Sequence, residues 1–125
     1  MDENKISERI LGAAFKVHSA LGPGLLESVY EVVLAYELRK NGLFVETQKP
    51  IPVIYEDVRL DLGFRLDLVV ENKVVVELKS IEALAPVHHK QLLTYLKLAN
   101  YKLGLLLNFN TSLLKDQIAR LVNNL

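Results

Sequence analysis

The amino-acid sequence predicts a mixed α/β (α+β) domain in which a central sheet is flanked by helices. Apolar residues recur at helical spacing over the first forty residues, and β-branched runs broken by turn signals follow over residues 43–80. A further helical pattern then lies between two apolar strands, which favours a parallel pairing of those strands. The predicted order of elements is ααββββαβα.

Two helices open the chain. The first carries apolar residues at helical spacing and ends at the breaker Gly22-Pro23-Gly24; these residues are Ile6, Ile10, Ala13, Ala14, Val17 and Leu21. The second helix is expected to bury a stripe before a terminating glycine, Gly42. The stripe consists of Leu26, Val29, Val33, Leu34 and Leu38.

The strand-like segments follow in order. They read LFVETQ (43–48), IPVIYE (51–56), VRLDLGFRLDLVV (58–70) and VVVELKS (74–80). A third helix is predicted over residues 87–100 and a buried strand over 101–109, where Gly104 should allow close backbone packing. Thr111 or Ser112 is expected to cap a last helix. That helix would carry Leu113, Leu114, Ile118, Leu121 and Val122.

Composition limits the class of protein. The 125 residues suit one domain, 1–125, and the absence of cysteine excludes disulfides and thiolate chemistry. The polar N-terminus and the lack of a long apolar run predict a soluble, cytoplasmic protein without a membrane partner. Fifteen basic residues balance fifteen acidic ones, so a nucleic-acid partner would need a local basic strip. Candidates for such a strip are Lys49, Arg59, Arg65, Lys73, Lys97 and Lys102.

The stretch VVVELKS places an acid and a base on one face of a strand, because Glu77 and Lys79 are two residues apart. A hairpin centred on Asn72 would set Asp67 opposite Glu77, with Cβ atoms about 5 Å apart. Such like charges are destabilising unless a divalent cation or Lys79 compensates for them. Spacing alone also permits a plain solvent face, although three preceding valines indicate a strand covered on both sides.

These residues resemble a known family pattern. Asp67 followed by Glu77-Leu78-Lys79 is similar to the D…(D/E)-x-K core of the PD-(D/E)XK nuclease superfamily, with Leu66 where the superfamily name has proline. Gly24-x-x-Glu27-x-x-Tyr30 resembles the GxxExxY protein family of that superfamily. Gln91-x-x-x-Tyr95 resembles its recombination-exonuclease branch. The resemblance spans about residues 10–121.

The resemblance implies a restriction-endonuclease-like fold and a metal-dependent nuclease, with DNA favoured over RNA as substrate. Mg²⁺ or Mn²⁺ would be held by Asp67, Glu77 and Glu27, with the Leu78 carbonyl as an extra ligand. Lys79 would assist attack by water, as base, positioner or charge stabiliser. Glu27 also fits a plain first-turn carboxylate favoured by the helix dipole.

Further residues are candidates for the same site. Gln91 would face the active site and is a further candidate catalytic residue. The candidate substrate contacts are Tyr30, Tyr95, His88 and Arg65. Both tyrosines fit core packing equally well. His18 is an upstream candidate ligand, and a packing role suits it too.

Two other functions compete with a nuclease. One is a non-catalytic module of the same fold that binds or assembles with a partner protein or a second copy. The other is hydrolysis of a different phosphate substrate such as a nucleotide. A Walker-type phosphate loop is absent from the sequence, which argues against an NTP-driven motor.

Overall fold

A computed structural model describes residues 1–61 and 63–125. Within these residues it contains helices α1 (Glu3–Leu21), α2 (Glu27–Lys40) and α3 (Pro86–Ala99) and a 3₁₀ helix (Leu114–Gln117). The strands are β1 (Val45–Pro50), β2 (Val53–Tyr55), β3 (Val58–Leu60), β4 (Arg65–Val70), β5 (Val74–Lys79), β6 (Leu103–Asn108) and β7 (Ile118–Val122). The mixed fold class predicted from the sequence is therefore confirmed.

The main sheet has the strand order β1-β4-β5-β6-β7. Strands β5 and β6 run parallel and the other neighbours run antiparallel, which confirms the predicted crossover through α3. Helices α1 and α2 cover one face with a large apolar cluster, and α3 covers the other face with a smaller one. This is consistent with a restriction-endonuclease-like architecture.

Strand β5 is covered on both faces. Val74, Val76 and Leu78 pack into the cluster beneath α1 and α2, whereas Val75 packs beneath α3. Glu77 has only 8% of its surface exposed. The alternative of a solvent face is therefore wrong for Glu77, since a near-continuous apolar strand covered by helices leaves it little access to bulk water.

The hairpin between β4 and β5 has the predicted register. Val70 faces Val74 and Leu68 faces Val76, and both turn residues, Glu71 and Asn72, have positive φ. The Lys73 N–H donates to the Val70 carbonyl at 3.0 Å and closes a tight turn through Glu71 and Asn72, within a three-residue loop, 71–73. Continuing this register outward brings Asp67 opposite Glu77.

The predicted last helix is wrong. Only Leu114–Gln117 form a helical turn, and Ile118–Val122 form edge strand β7, paired with β6. Ile118 packs toward the α1 side, while Ala119 and Leu121 pack toward the α3 side, which is the alternation of a strand. The apolar residues of this segment fit the helical period and the strand period. A strand is selected because β6 would otherwise leave the backbone N–H and C=O groups of its outer edge unpaired.

The predicted strand over 58–70 is two strands rather than one. Strand β3 pairs with β2 as a separate two-stranded sheet, and β4 begins at Arg65. Among the described residues, five strands therefore precede α3, whereas four were predicted. Residue 62, within the predicted strand, lies outside the described residues.

The predicted stripe of α2 is partly wrong. Leu26 is 74% exposed and Val29 is also exposed, whereas Tyr30 and Ala35 join Leu34 and Leu38 in the core. On this face the Tyr30 hydroxyl is bonded to the loop that precedes α2. Both predicted ends are confirmed: α1 stops at Leu21, and Gly42 follows α2 with φ of 84°.

Gly104 lets α3 approach β6 closely, as predicted. A Cβ atom built there would lie 3.1–3.2 Å from three side-chain carbons of the fully buried Leu92. We expect Gly104→Val to lower the free energy of unfolding by about 1–3 kcal/mol through overpacking. Urea unfolding measures this change. Gly12→Ala is the control, because Gly12 is an exposed residue of α1 and a Cβ atom added there has no other atom within 4 Å. This substitution should be neutral or stabilising.

Candidate active site

Asp67 and Glu77 meet where the ladder between β4 and β5 ends. The backbone N–H of Asp67 donates to Glu77 Oε1 at 3.1 Å, and the N–H of Leu78 donates to Asp67 Oδ2 at 2.9 Å. Each carboxylate thus takes an amide of the opposite strand. Backbone donors on rigid strands fix the orientation of both acids.

Burial and charge make this pair electrostatically costly. Burial raises the pKa of Glu77 well above its usual range, and the charge of Asp67 raises that pKa further. The Asp67 N–H and the Lys79 ammonium oppose this rise. Two carboxylates this close in a water-poor site favour a bound proton or cation between them.

A cavity of about 190 Å³ opens beside Asp67. It is lined by residues of α2, β1, β4 and β5, namely Glu27, Ser28, Glu31, Gln48, Asp67 and Leu78. Gln48 lies across the β1–β4 register from Asp67, and its amide Nε2 donates to Glu31 Oε1 at 2.6 Å and to Asp67 Oδ1 at 3.4 Å. Gln48 therefore connects the helical acid to the strand acid.

Glu27 is the first residue of α2 and shares this cavity with Glu31. Partial burial raises the pKa of Glu27, Lys79 lowers it, and Asp67 raises it. Burial also raises the pKa of Glu31, where the hydrogen bond from Gln48 acts in the opposite sense. Three acids and Lys79 thus influence one another at this end of the sheet.

The donor set fits a hard divalent cation that keeps most of its water. Among residues 1–61 and 63–125, no three or more His, Cys, Asp or Glu side chains group closely enough to hold a metal ion. Asp67 and Glu77 instead supply two carboxylates side by side, and Mg²⁺ is commonly bound through one or two carboxylates plus waters. Glu27 and Glu31 line the cavity where such waters would lie.

Lys79 follows Glu77 by two residues on β5 and is half-buried. The ion pairs within 4 Å found in the described part of the chain do not include it. Its charge lowers the pKa of both Glu27 and Glu77, and Glu27 lines the cavity. The ammonium is therefore available to a ligand.

Helix α3 brings Tyr95 toward the two acids. Burial raises the pKa of Tyr95, and the charges of Glu77 and Asp67 raise it further, while a hydrogen bond with Gln91 lowers it. Gln91 is exposed one turn earlier on the same face. The charges of the two acids therefore act on Tyr95, and the role predicted for Gln91 and Tyr95 at the active site stays a prediction.

Tyr30 is fully buried and is bonded to the loop before α2. Its hydroxyl donates to the Gly22 carbonyl at 2.5 Å and accepts from the Leu25 N–H at 3.2 Å, and its ring stacks on Phe109 at 4.6 Å. Without exposed surface, its side chain is not placed to contact a substrate. It instead orients the loop that leads directly to Glu27.

Tyr30→Phe tests this positioning role. Removal of the hydroxyl leaves the Gly22 carbonyl without its donor, so we expect a loss of about 1–2 kcal/mol in the free energy of unfolding, measured in urea. The ring stacking on Phe109 should persist. Tyr36→Phe on the exposed face of α2 is the matched control, and an equal effect in both variants would contradict the role of the loop contact.

The other candidate residues lie in different surroundings. His88 accepts the Ala85 N–H at 2.9 Å through Nδ1 and so caps the first turn of α3. His18 is buried, contacts the Thr111 carbonyl at 2.8 Å and lines a different cleft of about 460 Å³. Arg65 is exposed at the start of β4, two residues before Asp67.

The basic residues predicted to form a strip are dispersed. Lys49 contacts Glu46 at 3.0 Å and the Tyr101 hydroxyl at 3.1 Å, so its charge is partly neutralised. Lys73 lies on the β4–β5 turn and binds the Met1 carbonyl, at the opposite end of the hairpin from Asp67. Among the residues of the predicted strip, Arg65 is the nearest in sequence to either acid, two residues before Asp67.

Glu31 and Gln48 were missed by sequence reasoning. Glu31 lies four residues after Glu27, and this spacing alone places both acids on one helical face. Gln48 can be recognised as a site residue only from the antiparallel pairing of β1 with β4, a tertiary contact for which the sequence carries no local signal.

Comparison with known proteins agrees with the fold. The model of the PD-(D/E)XK nuclease superfamily matches residues 4–121, and the chain belongs to this superfamily. The superfamily suggests metal-dependent nuclease activity on a nucleic acid, and its members typically use divalent metals.

A particular solved protein is also similar. The crystal structure of SSO0001 superposes with a TM-score of 0.50 at 26% sequence identity, over 76% of this chain and 48% of that one. The chain thus spans about half the length of that protein. No curated protein matches significantly.

Within the described residues, we find no helix long and apolar enough to cross a membrane.

Proposed function

We propose that this chain is a Mg²⁺- or Mn²⁺-dependent nuclease that hydrolyses phosphodiester bonds of DNA. The observation that carries the proposal is the opposed pair Asp67 and Glu77, which backbone amides fix beside an acidic cavity. Membership of the nuclease superfamily supports a nucleic acid as the substrate.

The metal would be held by Asp67 and Glu77, with the Leu78 carbonyl as a further oxygen donor. When bound, it would polarise the scissile phosphate and lower the pKa of a coordinated water. Lys79 would hydrogen-bond the attacking water or the phosphate oxygens, because it is half-buried and its charge acts on Glu27 and Glu77. Glu27 would act through water, and Gln48 would hold the Asp67 carboxylate in place.

The residues of α3 would act on the substrate rather than on the metal. Gln91 is exposed and carries both an amide donor and an acceptor, which suit the sugar-phosphate backbone. Arg65 would add a charge-assisted contact to phosphate from the start of β4. His88, whose Nδ1 caps α3, is left with Nε2 for a substrate contact.

The test is cleavage of end-labelled single-stranded and double-stranded DNA and RNA in Mg²⁺, Mn²⁺ or EDTA. We expect cleavage of DNA in either metal and none in EDTA. A product ladder would indicate internal cuts, and release of mononucleotides would indicate cutting from an end. Calorimetric metal binding without cleavage of any substrate would instead support the non-catalytic module that binds or assembles with a partner.

A further inference from the structure

We propose that Phe64 and Tyr95 form an aromatic wall beside the candidate active site, against which a base of a single-stranded nucleic acid stacks. The proposal deepens the proposed nuclease function and rests on it for the identity of the ligand. It assigns a binding role to Phe64, and it names unpaired strands as the substrate class.

Phe64 is an exposed aromatic residue in a fixed position. It lies three residues before Asp67, and 39% of its surface is exposed. Its carbonyl accepts the N–H of Ile51 at 2.8 Å, and Ile51 is itself buried in the cluster beneath α3. The backbone carrying the ring is therefore bonded to the protein core.

Tyr95 supports this ring from the side of the acids. The two ring centroids are 5.9 Å apart with an interplanar angle of 52°, a tilted pair within the favourable range. Tyr95 is half-buried, and the charges of Glu77 and Asp67 act on its hydroxyl. The aromatic pair thus extends from the apolar cluster beneath α3, against which Tyr95 packs, outward to solvent at Phe64.

Nucleobases are the ligand that this arrangement suits. An aromatic ring beside a phosphodiester site can stack on any base, because every base presents a π-face, and each such contact is worth about 1–3 kcal/mol. Arg65 and Gln91 flank the wall with groups that can bind the backbone. With zero formal net charge, the chain lacks a general attraction to polyanions, so stacking would supply affinity that charge does not.

The same geometry favours single strands over duplexes. A base within a duplex is already stacked on its neighbours and must be unstacked before it can meet a side chain, at a cost of about a few kcal/mol. A single strand or a frayed end presents its bases without this cost. The wall is therefore expected to discriminate between the two forms.

The experiment measures binding without turnover, using wild-type protein in EDTA. A fluorescent twelve-nucleotide oligo-dT and a matched duplex are titrated with wild type, Phe64→Leu and Phe64→Trp. We expect Phe64→Leu to weaken single-strand binding about tenfold or more and Phe64→Trp to preserve it. Phe44→Leu is the control, since Phe44 is exposed near the β4–β5 turn at the far end of the hairpin.

A spectroscopic signature separates stacking from general affinity. 2-Aminopurine placed in the oligonucleotide loses fluorescence when it stacks, so we expect quenching with wild type and Phe64→Trp and little with Phe64→Leu. Equal affinity and equal quenching in Phe64→Leu and wild type would overturn the proposal, and so would a failure of the wild type to bind single strands.

The two proposals can fail separately. Hydrolysis of bis(p-nitrophenyl) phosphate, a phosphodiester without a base, tests the metal site without the wall. Stacking of a base on a protein that cleaves neither substrate would refute the nuclease and retain the wall. Cleavage of DNA with unchanged binding by Phe64→Leu would retain the nuclease and refute the wall.

Discussion

Asp67→Asn is expected to lower kcat/KM for metal-dependent DNA cleavage by about three orders of magnitude or more, with little change in the fold. The carboxylate Oδ2 accepts the Leu78 N–H, and the asparagine carbonyl can accept it equally well. The charge that binds a cation is lost, however. An effect of several kcal/mol on transition-state stabilisation corresponds to a thousandfold change, since each 1.36 kcal/mol is about tenfold.

The measurement compares cleavage rates, calorimetric Mg²⁺ or Mn²⁺ affinity and thermal unfolding for Asp67→Asn and wild type. Asp57→Asn is the matched control, because Asp57 is exposed in the β2–β3 turn with φ of 67°, a conformation that asparagine tolerates. Cleavage by Asp67→Asn at the wild-type rate would show that Asp67 is not a ligand. Loss of both cleavage and folding would be resolved by Asp67→Ser, which removes the charge with a smaller side chain.

The register of the catalytic hairpin was accessible from the sequence for a physical reason. The polar triplet at residues 71–73 allows one tight turn, and the valines on both sides must face a core. A slip by one residue would reverse the face of every side chain, but β5 is apolar on both faces, so the position of the turn selects the register. Asp67 and Glu77 could therefore be paired before any tertiary structure was known.

The C-terminal segment and the floor of the cavity depend on tertiary contacts instead. The apolar residues between Leu113 and Val122 match both helical and strand periods, and only the open edge of β6 selects a strand. Gln48 reaches Glu31 and Asp67 from a third strand, with a φ of 51° that departs from ordinary strand geometry. Local pattern carries no information on such a contact.

The buried face of α2 differs from the predicted stripe. Leu26 and Val29 have the spacing of a buried stripe but are exposed, whereas Tyr30 is buried and its hydroxyl is bonded to the Gly22–Leu25 loop. Glu27 and Glu31 line the cavity. The sequence motif G-x-x-E-x-x-Y thus has a structural explanation, in which the tyrosine orients the glutamate.

Glu77→Gln is expected to abolish cleavage and, in the absence of metal, to make the protein more stable than wild type. Glutamine keeps an oxygen to accept the Asp67 N–H, and it removes a carboxyl group that is ionised in the unfolded chain at neutral pH but must take up a proton on folding, because its pKa is raised. The gain should be on the order of 2 kcal/mol, since each pKa unit corresponds to about 1.4 kcal/mol. In a domain of this size the melting temperature would rise by about 5–10 °C.

The pH dependence gives the sharpest form of this prediction. Because the pKa of Glu77 is raised above its ordinary value of 4.5, its contribution to stability is full below that pH and is lost as pH rises through the folded-state value. In EDTA, the difference in melting temperature between Glu77→Gln and wild type should therefore be small at pH 4 and large at pH 9. Exposed Glu56→Gln is the control and should show no such trend. A melting temperature of Glu77→Gln at or below that of wild type throughout this range would mean that the Asp67–Glu77 pair carries no electrostatic strain for a cation to relieve.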